Sequence, residues 1–178
     1  MSHTQQLNFV NSVKEKYPDN FNNSKVLEVG SLNINGSVRP FFVNCEYVGV
    51  DVSEGPGVDR VEQGQSVDDP DGSYNTVISC ECFEHNPYWK ETFSNMVRLC
   101  SSEGLVIFSC ATTGRPEHGT TRTSPQDSPL TIGIGWDYYK NLEEKDFTEF
   151  FDLSQMFSEW HFSVDEQARD LYFFGLLK

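Results

Sequence analysis

The sequence predicts an open α/β fold: a mostly parallel sheet of seven strands, helices on both faces, and an antiparallel hairpin at the C-terminal end. Three observations carry this reading. The apolar run Val26–Val29 contains Glu28 and stops at Gly30, with a second glycine at Gly36, the order in which a strand feeds a glycine loop at the edge of an open sheet. A second run, Tyr47–Val50, ends on Asp51, twenty-one residues after Gly30. Finally, strand-like stretches at 158–164 and 170–177 are separated only by Asp165–Arg169, too short a connection for anything but antiparallel pairing.

The remaining elements follow in order. Leu7, Val10, Val13 and Tyr17 recur at helical spacing and predict a helix over 5–17, closed by Pro18. Strands are expected over 25–29 and 46–51. Between them, a helix is expected to start near Ser37 as N-cap, with Pro40 in its first turn. Residues 53–72 hold Gly55, Pro56, Gly57, Gly64, Pro70 and Gly72 among six acids. Such a stretch excludes long helices and leaves one sheet face thinly covered, with room for a short strand over 58–62.

Tyr74–Cys80 reads as a buried parallel strand. Asn86 and Pro87 supply an N-cap and first helical residue for a helix with Trp89, Phe93, Met96, Val97 and Cys100 on one face. That helix ends before Gly104, and Leu105–Ser109 is the next strand. From Ala111 to about Trp136 the chain is rich in Thr, Ser, Pro and Gly. An aperiodic connection of that length is either functional or disordered. A short helix near 144–150 precedes the hairpin.

Composition narrows the function classes. The chain has 178 residues, 37% hydrophobic and 13% aromatic, enough for one globular domain with a real core. A formal charge of −14, from 13 basic and 27 acidic residues, disfavours nucleic acid as a partner. No apolar run approaches the roughly 20 residues of a membrane span, and Met1–Gln6 has no signal-peptide pattern. A cytoplasmic protein with no membrane partner is expected. Five cysteines, Cys45, Cys80, Cys82, Cys100 and Cys110, contain no CxxC pair. They read as reduced, largely buried thiols, and Cys80, Cys82 and His85 lack zinc-ligand spacing, so no metal is expected.

Taken together, Glu28-x-Gly30 with Gly36, Asp51 at the end of the second strand, Asp71–Ser79 running into the fourth, and Phe83-Glu84-His85 after it resemble the class I S-adenosylmethionine-dependent methyltransferases, and most closely their small "type 11" branch. The resemblance covers residues 25–177 and implies a Rossmann-like single domain over 1–178. In it, 1–24 form the N-terminal helix and 111–141 a loop over the acceptor site. Three departures are visible: Leu32 stands where a second glycine is usual, with two extra residues before Gly36, Asn75 stands where an acid is usual, and the region between the second and fourth strands is cut short.

The resemblance implies S-adenosylmethionine as cofactor. Glu28, Gly30, Ser31 and Gly36 would form the loop, Asp51 and Val52 the ribose contact, Glu62, Gln63 and Gly64 the adenine contact, and Ser79, Cys80 and Glu81 the border of the methionine half. The glycine spacing of six fits a nucleotide-binding oxidoreductase or epimerase less well, because a pyrophosphate needs G-x-G-x-x-G at a helix N-terminus. Methyl transfer is an in-line displacement that positioning and desolvation accelerate. His85 and His118 are the candidate general bases. Glu84, Arg115, Trp136, Tyr138 and Tyr139 are candidates for holding the acceptor, expected to be a small molecule or a glycan precursor. Nothing in the sequence distinguishes an active enzyme from a catalytically silent module that binds the same cofactor, and oligomeric state is not legible.

Overall fold

A computed structural model describes residues 3–178. Seven strands form one sheet in the order β3-β2-β1-β4-β5-β7-β6. They are β1 (Lys25–Val29), β2 (Glu46–Asp51), β3 (Arg60–Val61), β4 (Tyr74–Cys80), β5 (Cys100–Ala111), β6 (Phe157–Asp165) and β7 (Asp170–Leu177). β1 to β5 pair in parallel, and β7 joins antiparallel to both β5 and β6. Strand order reverses between β1 and β4, and a ligand crevice opens at such a switch point, beyond the C-terminal strand ends.

Residues one apart on a strand point to opposite faces, so the continuous apolar runs feed two cores. Leu27, Val29, Val106 and Phe108 enter one core, while Val26, Ile78, Leu105 and Ile107 enter the other. The first is covered by α2 (Trp89–Leu99), α4 (Glu144–Thr148) and α5 (Leu153–Met156). At its centre Phe108 stacks between Phe147 at 4.6 Å and Phe173 at 5.0 Å, with Phe93 edge-on at 5.8 Å. Offset and edge-on aromatic pairs of this kind add about 0.5–1.5 kcal/mol each beyond area burial. The second core lies under α1 (Thr4–Lys16), where Val10 and Val13 meet Val26 and Ile78, and Phe21 stacks on Phe42 at 4.5 Å.

Three elements differ from the sequence expectation. No α-helix follows Ser37: the chain makes a single 3-10 turn, Arg39–Phe41, and the Ser37 hydroxyl accepts only the Arg39 N–H. Pro40 lies inside that turn, next to its first residue Arg39. Val43 is then captured by the segment before β1, donating to Phe21 and accepting from Asn23. The helix after β4 starts at Trp89 rather than Pro87, because the Asn86 carboxamide accepts the Tyr88 N–H and closes a preceding turn. β5 begins at Cys100, pairing with Tyr74 before a register shift. Between β2 and β4 the chain forms the short strand β3 and, as its helical element, no more than the 3-10 turn Gly64–Ser66, as the glycines and prolines there require. Among the described residues no helix is long and apolar enough to cross a membrane.

Candidate active site

β1 hands the chain to the crevice through Gly30. Its φ is +79°, and a Cβ there would lie 2.7 Å from both Cβ and Sγ of Cys82. Only glycine allows both the left-handed turn and that approach. Gly30 and Ser31 donate backbone N–H groups to Val50, which ties the loop to β2. At the end of β2 the Asp51 carboxylate accepts the Leu32 N–H at 3.0 Å and the Val52 N–H at 2.7 Å. Each oxygen therefore keeps a lone pair in reserve. Burial pushes the Asp51 carboxyl up, against the lowering effect of those two amides.

Gly30, Asp51, Cys80, Glu81 and His85 line one cavity. Glu81 sits in the left-handed region at φ 52°, a conformation that non-glycine residues adopt where surrounding structure over-determines it. The Ser109 hydroxyl donates to its carboxylate at 2.8 Å, and its own N–H is taken by the Ser109 carbonyl. Beyond it, Phe83 is locked under Phe108 and Phe147, which fixes the orientation of the next two residues. Glu84 is fully buried, and among the described residues neither carboxyl oxygen has a hydrogen-bond partner beyond its own backbone amide. Burial, then the nearby Glu81 carboxyl, holds it well above the usual range. Burial, then repulsion from His118, pushes His85 down to about 3. The His85 imidazole is therefore neutral at physiological pH.

The loop after β5 reaches this point from the other side. Gly119 packs directly on His85, and a Cβ on it would lie 2.6 Å from the imidazole. That contact sets His118 edge-on to His85, with centroids 4.9 Å apart, and Tyr139 closes the group at 5.0 Å from His118. The loop braces itself: Arg122 bonds Glu117 and Asp137, and Asn141 holds the Arg115 carbonyl. It then folds back as a single turn of helix, α3 (Pro129–Gly133), whose Leu130 and Thr131, with Asp127 and Ser128, roof the cavity. The enclosed volume is only about 60 Å³.

Other residues singled out by sequence lie elsewhere. Glu28 is beneath the loop, buried, and accepts the Tyr47 hydroxyl at 2.8 Å; burial raises its carboxyl to about 7. Ser31 is buried, Gly36 is exposed and accounts for no part of the lining, and Val52 serves as the amide that caps Asp51. Glu62 pairs with Arg60, Gln63 accepts from Gln65, and Gly64 is buried against α2, where Asn95 bonds its carbonyl. The Ser79 hydroxyl donates to the Val29 carbonyl inside the sheet.

Arg115 turns away from the crevice to Asp170 and the Ala168 carbonyl. Trp136 packs on Tyr88, Tyr139 packs on His118, and Tyr138 joins no aromatic pair among the described residues. The roof, Asp127–Thr131, lies within the 111–141 loop expected over the acceptor site, but its residues are not singled out by sequence, nor are Leu32, Ile34 and Cys82 as lining. Ser128-Pro129 opening a short apolar stretch was the available signal.

A methyltransferase-domain family model matches residues 3–172. No curated protein matches the chain by sequence. Among solved structures, the fold is similar to the Burkholderia thailandensis 1,6-didemethyltoxoflavin-N1-methyltransferase, at TM-score 0.65 and 11% identity over 97% of this chain and 78% of that one. It is also similar to YcgJ of Bacillus subtilis, at TM-score 0.64 and 10% identity over 99% of both chains. A third is an S-adenosylmethionine-dependent methyltransferase of Archaeoglobus fulgidus, at TM-score 0.60 and 12% identity over 96% and 94%. With the family model spanning nearly the whole chain, the strand order and the switch-point crevice place the protein in a defined group: it belongs to the methyltransferase-domain family of class I S-adenosylmethionine-dependent methyltransferases.

Proposed function

We propose that the chain transfers a methyl group from S-adenosylmethionine to a small molecule or glycan precursor held beside His85. The observation that carries this reading is the cavity at the ends of β1, β2 and β4, edged by the Gly30 turn and the Asp51 carboxylate. The donor set fits the cofactor. Asp51 retains one acceptor lone pair per oxygen for the ribose hydroxyls, at about 1.5–3 kcal/mol per charge-assisted bond. The cavity of about 60 Å³ is well below the roughly 300 Å³ at which ligand pockets begin, so entry requires the Asp127–Thr131 roof to withdraw. The bound cofactor supplies an electrophilic sulfonium methyl.

The chain's own residues orient and desolvate. Cys80 and Glu81 border the cavity beside His85, and Ser109 fixes the Glu81 carboxylate. His85, neutral and largely buried, hydrogen-bonds and positions an acceptor; a group pushed down to about 3 has little capacity as a base at neutral pH. His118 orients it from behind through the edge-on contact. A small acceptor is supported by the charge of −14. The Burkholderia neighbour, solved with bound 1,6-didemethyltoxoflavin and S-adenosylhomocysteine, offers a precedent of that class. The test is release of S-adenosylhomocysteine from S-adenosylmethionine against panels of hydroxylated and nitrogen heterocycles, sugar nucleotides, and short RNA and DNA. Turnover with a heterocycle or sugar nucleotide is expected. Turnover confined to nucleic acid would overturn the acceptor class.

A further inference from the structure

Behind the cavity lies a cluster whose composition the methyl donor does not explain. The side chains of Glu84, His85 and His118 each offer one ligand atom, and the three atoms lie within 4.8 Å of one another. We infer that Glu84, His85 and His118 form a binding site for one divalent first-row cation at the acceptor end of the crevice. Its position beside an acceptor rests on the function proposed above; the cation site itself does not.

Four observations point to a ligand here. Glu84 has no exposed surface, and among the described residues its carboxyl oxygens lack a partner apart from their own backbone amide. Buried carboxyls are ordinarily paired, hydrogen-bonded or bound to metal. Nδ1 of His85 is likewise buried and unpartnered among the described residues. Nδ1 of His118 lies 3.0 Å from the Pro116 carbonyl. A proton on that nitrogen leaves the Nε2 lone pair free, the second-shell arrangement that fixes the tautomer of metal-binding histidines. Finally, Gly119 allows the loop to press His118 against His85.

Two imidazoles and a carboxylate suit Zn²⁺, Fe²⁺ or Co²⁺ better than the hard cations Mg²⁺ and Ca²⁺. Ligand atoms about 2.1 Å from a common ion are roughly 3.4 Å apart in a tetrahedron. The observed cluster needs a contraction, which the half-buried His118 on its loop is placed to supply. Three protein ligands leave open positions on the ion. His85 also faces the cavity, so an acceptor oxygen or nitrogen bound at an open position would sit next to the methyl donor.

Cobalt(II) titrated into the chelator-treated full chain, followed by visible absorption, tests the site directly. A saturating spectrum at one equivalent is expected, with affinity reduced roughly tenfold or more in Glu84→Gln and in His118→Ala. Glu84→Gln preserves volume and His118 is half-buried, and near-ultraviolet circular dichroism checks that both are folded. Cys82→Ser is expected to keep the spectrum. Absence of a spectrum in the wild type, an unchanged affinity in folded His118→Ala, or loss in Cys82→Ser overturns the assignment. The same samples are titrated with S-adenosylhomocysteine. Its binding without cobalt binding overturns the metal site alone, whereas cobalt binding without it supports the metal site and removes only its proposed place beside a methyl acceptor.

Discussion

On the β1–β2 side of the crevice the Asp51 carboxylate accepts two backbone amides, from Leu32 and Val52. On the β4–β5 side the Glu84 carboxyl, more deeply buried, meets only its own backbone amide among the described residues. The first half is built from chain segments close in sequence to their strands, and its carboxylate is bonded before any ligand arrives, although the Ser31 hydroxyl is buried there without a partner among the described residues. The second is assembled from a turn after β4 and a long loop after β5, and it leaves costly groups unpaired. An unpaired buried polar group costs about 1–3 kcal/mol. A fold that retains one beside a cavity is spending stability on recognition. The two halves thus divide the work: one is preorganised for a fixed partner, and the other waits for its ligand.

The comparison can be broken by substitutions on either side. The largest effect is expected from Arg115→Ala. Arg115 bonds Asp170, whose side chain is fully buried, and breaking a buried pair by removing one partner costs roughly 3–5 kcal/mol. Urea denaturation should show this loss. A stability unchanged within error would mean that His3, which also reaches Asp170, suffices alone.

Glu28 and His85 set opposite pH dependences. Glu28 rises to about 7 in the folded chain, so the folded state binds the extra proton. Its contribution is fully present below the unfolded carboxyl value, about 4.3, and is lost as pH rises through 7. His85 falls to about 3. Its contribution is present above the unfolded value of about 6.5 and is lost as pH falls toward 3. Glu28→Gln should therefore gain stability relative to wild type between about pH 4.5 and 7, by up to roughly 3 kcal/mol at about 1.4 kcal/mol per unit. A pH-independent difference between the two proteins in thermal unfolding would refute the assignment.

Gly30→Ala should cost on the order of 2 kcal/mol, from strain at positive φ and collision with Cys82, and should weaken S-adenosylhomocysteine binding more than it lowers stability. Equal changes in both would make Gly30 a purely structural residue. The smallest effect belongs to the roof. Leu130→Ser removes an apolar side chain that lines the cavity beside Gly55 and should speed S-adenosylhomocysteine association by a few-fold in stopped flow with little change in stability. Slower association would show that the roof guides the ligand instead of screening it.

How far the sequence reveals all this differs between the two halves as well. The strands, the hairpin and the pairing of Gly30 with Asp51 at one crevice were legible, because each rests on short-range periodicity and turn chemistry. The absent helix after Ser37 was not. Its propensity was overridden by the capture of Val43 between Phe21 and Asn23, a contact distant in sequence. His85 and His118 were each visible as chemistry-bearing residues. Their meeting was not, since they lie 33 residues apart and are joined only through the packing of Gly119. Glu84 shows the same limit: burial without partners is a property of the assembled core. The loop that carries the roof was legible as a segment, but the roof's own residues were not, because five helical residues carry too little periodicity to stand out in an aperiodic loop.

The measurement that bears most directly on the crevice is calorimetric titration of the wild type and Asp51→Ala with S-adenosylhomocysteine, alongside NAD. One-to-one binding of S-adenosylhomocysteine is predicted, weakened roughly tenfold to a hundredfold in a folded Asp51→Ala, as the loss of about 1.5–3 kcal/mol requires, with no heat from NAD. Binding of NAD instead, or an affinity for S-adenosylhomocysteine that Asp51→Ala leaves unchanged, would contradict it.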